Sequence, residues 1–197
     1  MAYATPNELR LLVRHPAPFT DDESATAELL LELAEGVIED ETGQALEEST
    51  DTVILDSPTR QAPWPHVPGT GSHKLILPRW PVTAVESVTI LHETEPDENL
   101  EFGRDYTWSA AGTLTLLNGW WPTRDRSVQA VVTAGYNPMP KGLRRMVLRM
   151  AAAAWNNPLL ASSESLGDHS VSFSADALGI ELSDKDKKIL GLYRART

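Results

Sequence analysis

The sequence predicts an α+β fold in which an antiparallel β module is inserted between helical segments. Helix caps and helical periodicity occupy the two ends of the chain, whereas the middle alternates apolar and polar residues at the period of a strand. The strands follow one another without helices between them, which argues against a parallel α/β sheet. We therefore expect N-terminal helices in residues 1–51, the β module in 52–138, a third helix in 139–160, and a flexible arm with a short helix in 161–197.

The charge of the chain divides at the same place. Of the 197 residues, the first 51 hold 13 acidic and 2 basic side chains and carry the whole net charge of −11, whereas the remainder balances 15 against 15. Because carboxylates repel a phosphate backbone, we do not expect the acidic region to grip DNA. There is no cysteine, no apolar run of about 18 residues and no signal-peptide pattern, so we expect a chain without disulfides or membrane contact.

Two helices are predicted in the acidic region, and each begins at a capping box. Thr5–Glu8 begins a short helix that ends before the prolines of residues 16–18, and Thr20–Glu23 begins a long helix that ends at Gly43. The long helix is expected to carry an apolar stripe that belongs to the core or to an interface; it contains Leu29, Leu30, Leu33, Val37 and Ile38. Its acidic surface is expected to contain Glu28, Glu32, Glu35, Glu39 and Asp40.

The middle region changes to a period of two residues. Strands are predicted at 52–55, 74–77, 82–92, 106–108 and 113–117, and in the alternation of Val128, Ala130, Val132 and Ala134. Residues 57–73 hold four prolines and are expected to form a long loop. Residues 93–104 are expected to form an acidic turn.

Helical periodicity returns after Pro140 and stops at Pro158. The core face is predicted to contain Leu143, Val147, Met150 and Ala154, and a basic row at i, i+4 and i+8 contains Lys141, Arg145 and Arg149. Residues 161–181 are small and polar, which predicts a flexible arm or a weak hairpin. Ser183 is expected to cap a last short helix that carries Ile189, Leu190 and Tyr193 on one side and Arg194 near its end.

No coherent catalytic or metal-binding pattern is found. The glycines of residues 69–74 match no phosphate-binding motif, and the histidines lack the helical spacing of a metal pair. Asp184 and Asp186 are explained by the first turn of a helix, where its dipole favours acids. We therefore predict no enzyme, no cofactor and no metal.

The tryptophans point to an interface. Trp120 and Trp121 are adjacent, so both cannot face one core, and one of them is expected to anchor a neighbouring subunit. Trp80 is a further interface candidate. The alternative is a carbohydrate- or ligand-binding module, which would need coplanar aromatic rings on one exposed face.

Several segments resemble the head–tail connector (adaptor) proteins of tailed bacteriophages. Ile38–Gln44 is similar to the "IE…TGR" segment of that family, and Leu75–Ile90 resembles its "L-x-LP-x-x-PV-x-x-V-x-S-V" strand pair. Val131–Asn156 is similar to the entry into the third helix of the family, and Leu192–Arg194 to its chain end. The resemblance follows the family order over nearly the whole chain.

The resemblance implies a small helical bundle, made of the long acidic helix, the helix with the basic row and the short C-terminal helix, that carries the inserted antiparallel β module. It also implies a structural neck protein that forms a ring, typically of twelve copies, below the portal. Such a ring extends the DNA channel without sequence-specific DNA binding, and it receives head-closure or tail-terminator proteins. The protein would be made in the host bacterial cytoplasm and act in the virion neck. The C-terminal segment would dock onto the portal protein, with Ile189, Leu190, Tyr193 and Arg194 as contacts.

In a ring, the acidic helix has two alternative uses. Some of its carboxylates are predicted to face the lumen and let DNA slide without sticking; the candidates are Glu28, Glu32, Glu35 and Glu39. Alternatively, they meet the basic row Lys141, Arg145 and Arg149 of a neighbouring subunit, and high salt would then weaken the rings. A further alternative, an acidic mimic of DNA, would need acids spread over an extended face, whereas the excess of acids here is confined to residues 1–51.

Overall fold

The structure is a computed structural model that describes residues 3–56, 72–157, 163–166, 169–172, 180 and 182–195. Within these residues it contains four α-helices and nine strands, and the strand pairs of its sheets are antiparallel. The fold class is α+β, as predicted. The chain divides into two compact units.

The helical unit contains the described residues up to Gly43 and those from Pro138 to Arg194. Its helices are α1 (Pro6–Leu12), α2 (Asp21–Thr42), α3 (Lys141–Asn156) and α4 (Asp184–Leu190), followed by a 3₁₀ turn (Gly191–Tyr193). Helices α1 and α2 begin at the predicted capping boxes, and α4 begins at a capping box that joins Ser183 to Asp186. Helix α2 ends at Gly43, whose φ of 68° is the left-handed conformation that glycine adopts without strain.

The buried face of α2 differs from the predicted stripe. Leu29 and Leu33 are 54% and 50% exposed, and the buried residues follow a different face: Ala27, Leu31, Ala34, Ile38 and Thr42. Apolar residues occupy more than one side of this helix, so periodicity alone could not choose between the faces. Helix α2 packs on α3, and the small side chains at Ala27 and Ala34 allow a close approach.

Helix α3 buries the face that was predicted for it. Leu143, Val147 and Met150 are buried together with Met146 and Ala151, and Ala154 is half-buried. The predicted basic row lies on the exposed side. A two-stranded hairpin follows in the chain, formed by β8 (Ser163–Leu166) and β9 (His169–Ser172). This hairpin lies in the predicted arm, and the rest of residues 161–179 is outside the described residues.

The second unit is built on Gln44–Asn137 and contains two sheets. The larger has the order β1 (Ser49–Leu55), β7 (Val128–Ala134), β3 (Val82–Ile90) and β4 (Glu98–Leu100). The smaller has the order β2 (Lys74–Ile76), β6 (Thr113–Leu116) and β5 (Tyr106–Ser109). One buried cluster joins the sheets, with Leu75, Leu114 and Trp121 from the smaller one and Leu55, Val88 and Ala130 from the larger one.

One strand, β4, lies in a segment for which no strand was predicted. Strand β7 alternates buried and half-buried residues as expected, and β5 and β6 form the predicted hairpin. Strand β4 lies inside the predicted acidic turn, because its pairing with Val88–Ile90 of β3 overrides the low strand propensity of Glu98 and Asn99. The predicted loop at 57–73 lies outside the described residues except for Ser72 and His73.

Candidate assembly surfaces

The acidic row of α2 is divided by its contacts. Its four glutamates recur at helical spacing along one side of the helix. Glu28 and Glu32 are exposed, and their carboxylates accept no hydrogen bond from the described residues. Glu35 accepts a 2.8 Å hydrogen bond from the backbone N–H of Tyr3, and Glu39 accepts one of 2.7 Å from the Tyr3 hydroxyl. Because Tyr3 is buried, half of the row holds the start of the chain against α2.

The basic row of α3 is divided in a similar way. Lys141 and Arg145 are exposed. Arg149 donates a 2.6 Å hydrogen bond from Nη2 to Oδ2 of Asp186 on α4. Within the described part of the chain, the structure pairs no member of this basic row with the acidic row of α2, which consists of Glu28, Glu32, Glu35 and Glu39. The exposed acids of α2, Glu28 and Glu32, and the exposed cations of α3, Lys141 and Arg145, are therefore not paired with one another among the described residues.

The neighbouring Arg144 was not among the predicted residues. It forms an ion pair with Glu8 of α1, in which its Nε lies 3.2 Å from Oε2. The spacing of Glu8 and Arg144 in the sequence gives no signal for this contact. It ties α1 to α3 inside the helical unit.

The adjacent tryptophans point in different directions, as predicted. Trp121 is only 1% exposed, and its Nε1 donates a 2.8 Å hydrogen bond to the carbonyl of His73. Trp121 therefore belongs to the core of the β unit and not to a free surface. Trp120 is 57% exposed and stacks on the His73 ring with 4.0 Å between ring centroids. Trp80 is half-buried and meets Tyr136 edge-on.

Two further exposed apolar side chains lie at the same end of the smaller sheet as Trp120. Leu117 is 47% exposed, and its N–H donates to the carbonyl of Asp105. Phe102 is 63% exposed and lies edge-on to Tyr106, the first residue of β5. Leu117 follows β6 directly. We call Phe102, Leu117 and Trp120 the apolar rim. Phe102 and Leu117 were not among the predicted interface residues, because neither belongs to a sequence motif.

The predicted portal contacts on the C-terminal segment differ in exposure. Leu190 is completely buried in the helical unit, and Ile189 and Tyr193 are half-buried. Arg194 forms an ion pair with Glu41 of α2. The most exposed apolar residue of this segment is Leu192, which is 74% exposed and was not among the predicted contacts. A docking partner would therefore meet Leu192 first.

Helix α4 is fixed by a charged hydrogen-bond network at its first turn. Asp186 is buried, and it accepts hydrogen bonds from the Ser183 N–H and hydroxyl and from Arg149. Burial acts to raise the pKa of Asp186, but the hydrogen bonds from Ser183 and Arg149 outweigh it and hold this pKa below its ordinary value. The carboxylate form of Asp186 therefore stabilises the docked helix.

Arg79 joins three separate segments of the β unit. Its guanidinium donates to the carbonyls of Ala45 and Ala134, at 3.1 Å each, and to the Ser49 hydroxyl at 2.6 Å, and it pairs with Asp51. In the sequence, the segment around Arg79 is distinguished only by its resemblance to the connector family. Its partners are distant in the sequence, so no local pattern revealed them.

The described residues offer no alternative kind of site. Among them there is no group of three or more acidic or histidine side chains that could hold a metal ion. Of the described helices, none is both long and apolar enough to cross a membrane.

Comparison with known proteins gives structural matches alone. No protein-family model matches the sequence, and no curated protein does. A chain in the neck of an empty GTA particle, computed with C6 symmetry, matches 98% of this chain and 89% of its own length with a TM-score of 0.61 and 19% identity. The chain shares its fold with a GTA neck component. The resemblance to a neck protein is thus confirmed at the level of the fold.

Two further structures agree. A chain in the virion of the native gene transfer agent (GTA) particle matches 98% of this chain and 89% of its own length, with a TM-score of 0.58 and 17% identity. A chain in the neck of the native GTA particle, computed with C12 symmetry, matches 96% and 90%, with a TM-score of 0.55 and 17% identity. These chains come from the virion and its neck, which is the location that the sequence resemblance implies.

Proposed function

We propose that the chain is a structural head–tail connector (adaptor) subunit, and that copies of it form a ring under the portal of a tailed phage or a related particle. The ring extends the DNA channel and links capsid to tail. The observation that carries this proposal is the shared fold with a GTA neck chain over 98% of the sequence. Necks of that particle computed with C6 and C12 symmetry support a closed ring of about twelve copies.

The partners follow from the same role. The portal protein is proposed to bind the C-terminal segment, where Leu192 supplies the exposed apolar anchor. Head-closure or tail-terminator proteins are proposed to bind elsewhere on the ring. DNA passes through the channel without sequence-specific contact, in keeping with a net charge of −11. The protein is made in the host bacterial cytoplasm, acts in the virion neck and catalyses no reaction.

We further propose that the helical unit acts as the bundle of the connector and that residues 52–138 are the β module inserted into it. The helical unit stops at Gly43 and resumes at Pro138, which supports an insertion with nearly these bounds. Contacts of α2 with α1, α3 and α4 support the bundle.

No observation favours the carbohydrate-binding alternative. It would need coplanar exposed rings, but among the described tryptophans Trp120 alone is exposed, and His73 covers one face of its indole. The described residues therefore supply no stacking platform.

Co-expression with the portal protein of the same particle tests the proposed function. We expect the two proteins to co-purify, and native mass spectrometry should give about twelve copies of this chain per portal ring. Portal protein expressed alone is the control for its own assembly state. The proposal fails if the chain remains monomeric and does not bind portal rings at micromolar concentration.

A further inference from the structure

The outward side of α2 is an apolar ridge bordered by acids. Leu29 and Leu33 each lie two residues from the buried Leu31, which places them about 200° around the helix axis from it, facing solvent. They are 54% and 50% exposed. Glu28 and Glu32, which precede them in the sequence, border the ridge and are exposed. We call these four residues the acidic leucine face.

The outward side of α3 has the opposite charge. Arg145 lies two residues from the buried Val147 and therefore about 200° around the axis from it. Lys141 lies one turn before Arg145, and both are exposed. Leu148 and Ala152 fall on the same side and are half-buried. We call Lys141, Arg145, Leu148 and Ala152 the basic face.

The two faces lie on opposite sides of the helical unit. Helix α2 packs against α3, and each helix turns its row of buried residues toward the core of the unit. The acidic leucine face and the basic face therefore point away from each other. Two different patches on opposite sides of one subunit are what a head-to-tail contact requires, and such contacts close into rings.

We propose that in the ring the acidic leucine face of one copy packs against the basic face of the next copy. This inference rests on the proposed function, because it needs a ring. Contact would remove the two leucines from water and place Glu28 and Glu32 beside Lys141 and Arg145 of the neighbour. It assigns these two glutamates to the subunit contact and not to the channel lumen.

The charges exclude the symmetric contact that the same patches could otherwise form. If α2 met α2 of another copy around a two-fold axis, Glu28 and Glu32 would face identical carboxylates. Like charges placed together across an interface oppose that pairing. Pairing of the basic face with itself is opposed in the same way. A second copy in head-to-tail orientation is therefore the occupant that fits both faces.

Charge reversal tests the pairing directly. The acid-reversed variant carries Glu28→Lys and Glu32→Lys, and the base-reversed variant carries Lys141→Glu and Arg145→Glu. Each alone places like charges at every contact, so we expect its ring fraction to fall about tenfold or more at equal concentration. Glu86→Lys with Glu95→Lys, at exposed positions of the β unit, is the control for charge change and should leave rings intact.

Mixing the two variants distinguishes a head-to-tail contact from general damage. In an equimolar mixture, alternating copies meet through opposite charges at every contact, so an even-membered ring should recover to the wild-type level. The quadruple variant that combines all four substitutions should also form rings, because its two faces are again complementary. Rings are counted by electron microscopy on portal protein, and circular dichroism checks the fold of each variant.

The outcomes separate the two proposals. If the wild-type chain forms no ring with the portal protein, the proposed function fails, and the pairing fails with it. The pairing alone is overturned if wild-type rings form and the reversed variants assemble equally well. It is also overturned if folded reversed variants fail to assemble alone and neither the mixture nor the quadruple variant restores rings.

Discussion

Arg79 shows how much a single side chain contributes to the β unit. Its guanidinium donates to three backbone carbonyls, those of Ala45, Glu47 and Ala134, and to the Ser49 hydroxyl, and it pairs with Asp51. Arg79→Ala leaves these groups without their donor, so we expect the free energy of unfolding to fall by about 2–4 kcal/mol. Arg79→Lys should recover only part of this loss, because an ammonium cannot reproduce the planar fork of donors.

Urea unfolding followed by tryptophan fluorescence measures the effect. Lys74→Ala is the matched control, since Lys74 is an exposed cation of the same unit. The proposed role of Arg79 is contradicted if Arg79→Ala unfolds at the same urea concentration as the control.

Leu190 and Leu192 form a matched pair with different expected roles. Leu190 is completely buried, so Leu190→Ala should lower the free energy of unfolding by about 2–5 kcal/mol. Leu192 is 74% exposed, so Leu192→Ala should change stability by less than about 0.5 kcal/mol but reduce co-purification with the portal protein. Thermal unfolding and portal pull-down separate the two effects. Full portal binding by Leu192→Ala would exclude this residue as the anchor.

Residue-level features were predictable where their cause is local. The boxes at Thr5–Glu8 and Thr20–Glu23 were recognised because capping residues lie three positions apart. Gly135 was expected only as the end of a strand. In the structure a Cβ at Gly135 would lie 2.4 Å from the carbonyl oxygen of Glu47, so the chain needs a glycine there. That requirement comes from a segment far away in the sequence, as do the partners of Arg79.

At the scale of elements, α2 was predicted with its correct ends, but of its apolar stripe Ile38 is fully buried whereas Leu29 and Leu33 are exposed. Its start and stop signals are local, and both were recognised. The choice of face depends on which side α3 covers, and leucines on several sides made the pattern ambiguous. The two exposed leucines, Leu29 and Leu33, belong to the proposed subunit contact.

The docking of α4 should depend on pH through Asp186. Because the folded pKa of Asp186 is below its ordinary value, its contribution is complete above the unfolded pKa of about 4 and is lost as the pH falls through the lower folded pKa. The protection factors of the α4 amides, which correct for the slower intrinsic exchange in acid, should therefore fall below about pH 4 in the wild type. Asp186→Asn should exchange faster at neutral pH and show a smaller change on acidification. Identical pH profiles for both proteins would contradict this assignment.

The adjacent tryptophans at the end of the smaller sheet should respond oppositely to substitution. Trp121→Ala removes a buried core side chain and should cost about 3–5 kcal/mol of unfolding free energy. Trp120→Ala removes a member of the apolar rim and should leave stability nearly unchanged while weakening assembly. Urea unfolding and ring counts by electron microscopy measure the two effects. Normal assembly by Trp120→Ala would remove the apolar rim from the interface.

At the scale of the whole molecule, class and order were predictable, whereas the arrangement of the strands was not. The change from helical to strand periodicity and back agrees with the observed order, in which two helices come before β1–β7 and α3 follows them. The division into two sheets depends on pairings such as β1 with β7, between Ser49–Leu55 and Val128–Ala134. Short alternating strands carry no signal for a partner so far along the chain.

For the candidate surfaces too, local features could be predicted and contacts between distant segments could not. The sequence located the acidic row and the basic row, because both recur at helical spacing. The sequence could not show that Tyr3 is hydrogen-bonded to Glu35 and Glu39, or that Arg149 is hydrogen-bonded to Asp186. These contacts join segments that are distant in the sequence. The exposed members of the two rows that these contacts leave, Glu28 and Glu32 on α2 and Lys141 and Arg145 on α3, belong to the acidic leucine face and the basic face.

A density map of the neck, from virions or from the chain bound to its portal, tests the central claim most directly. We predict a closed ring of about twelve copies of this chain beneath the portal, with α2 of each copy against α3 of the next. The account is contradicted if the map shows no ring of this chain at the neck, or places the chain elsewhere in the particle.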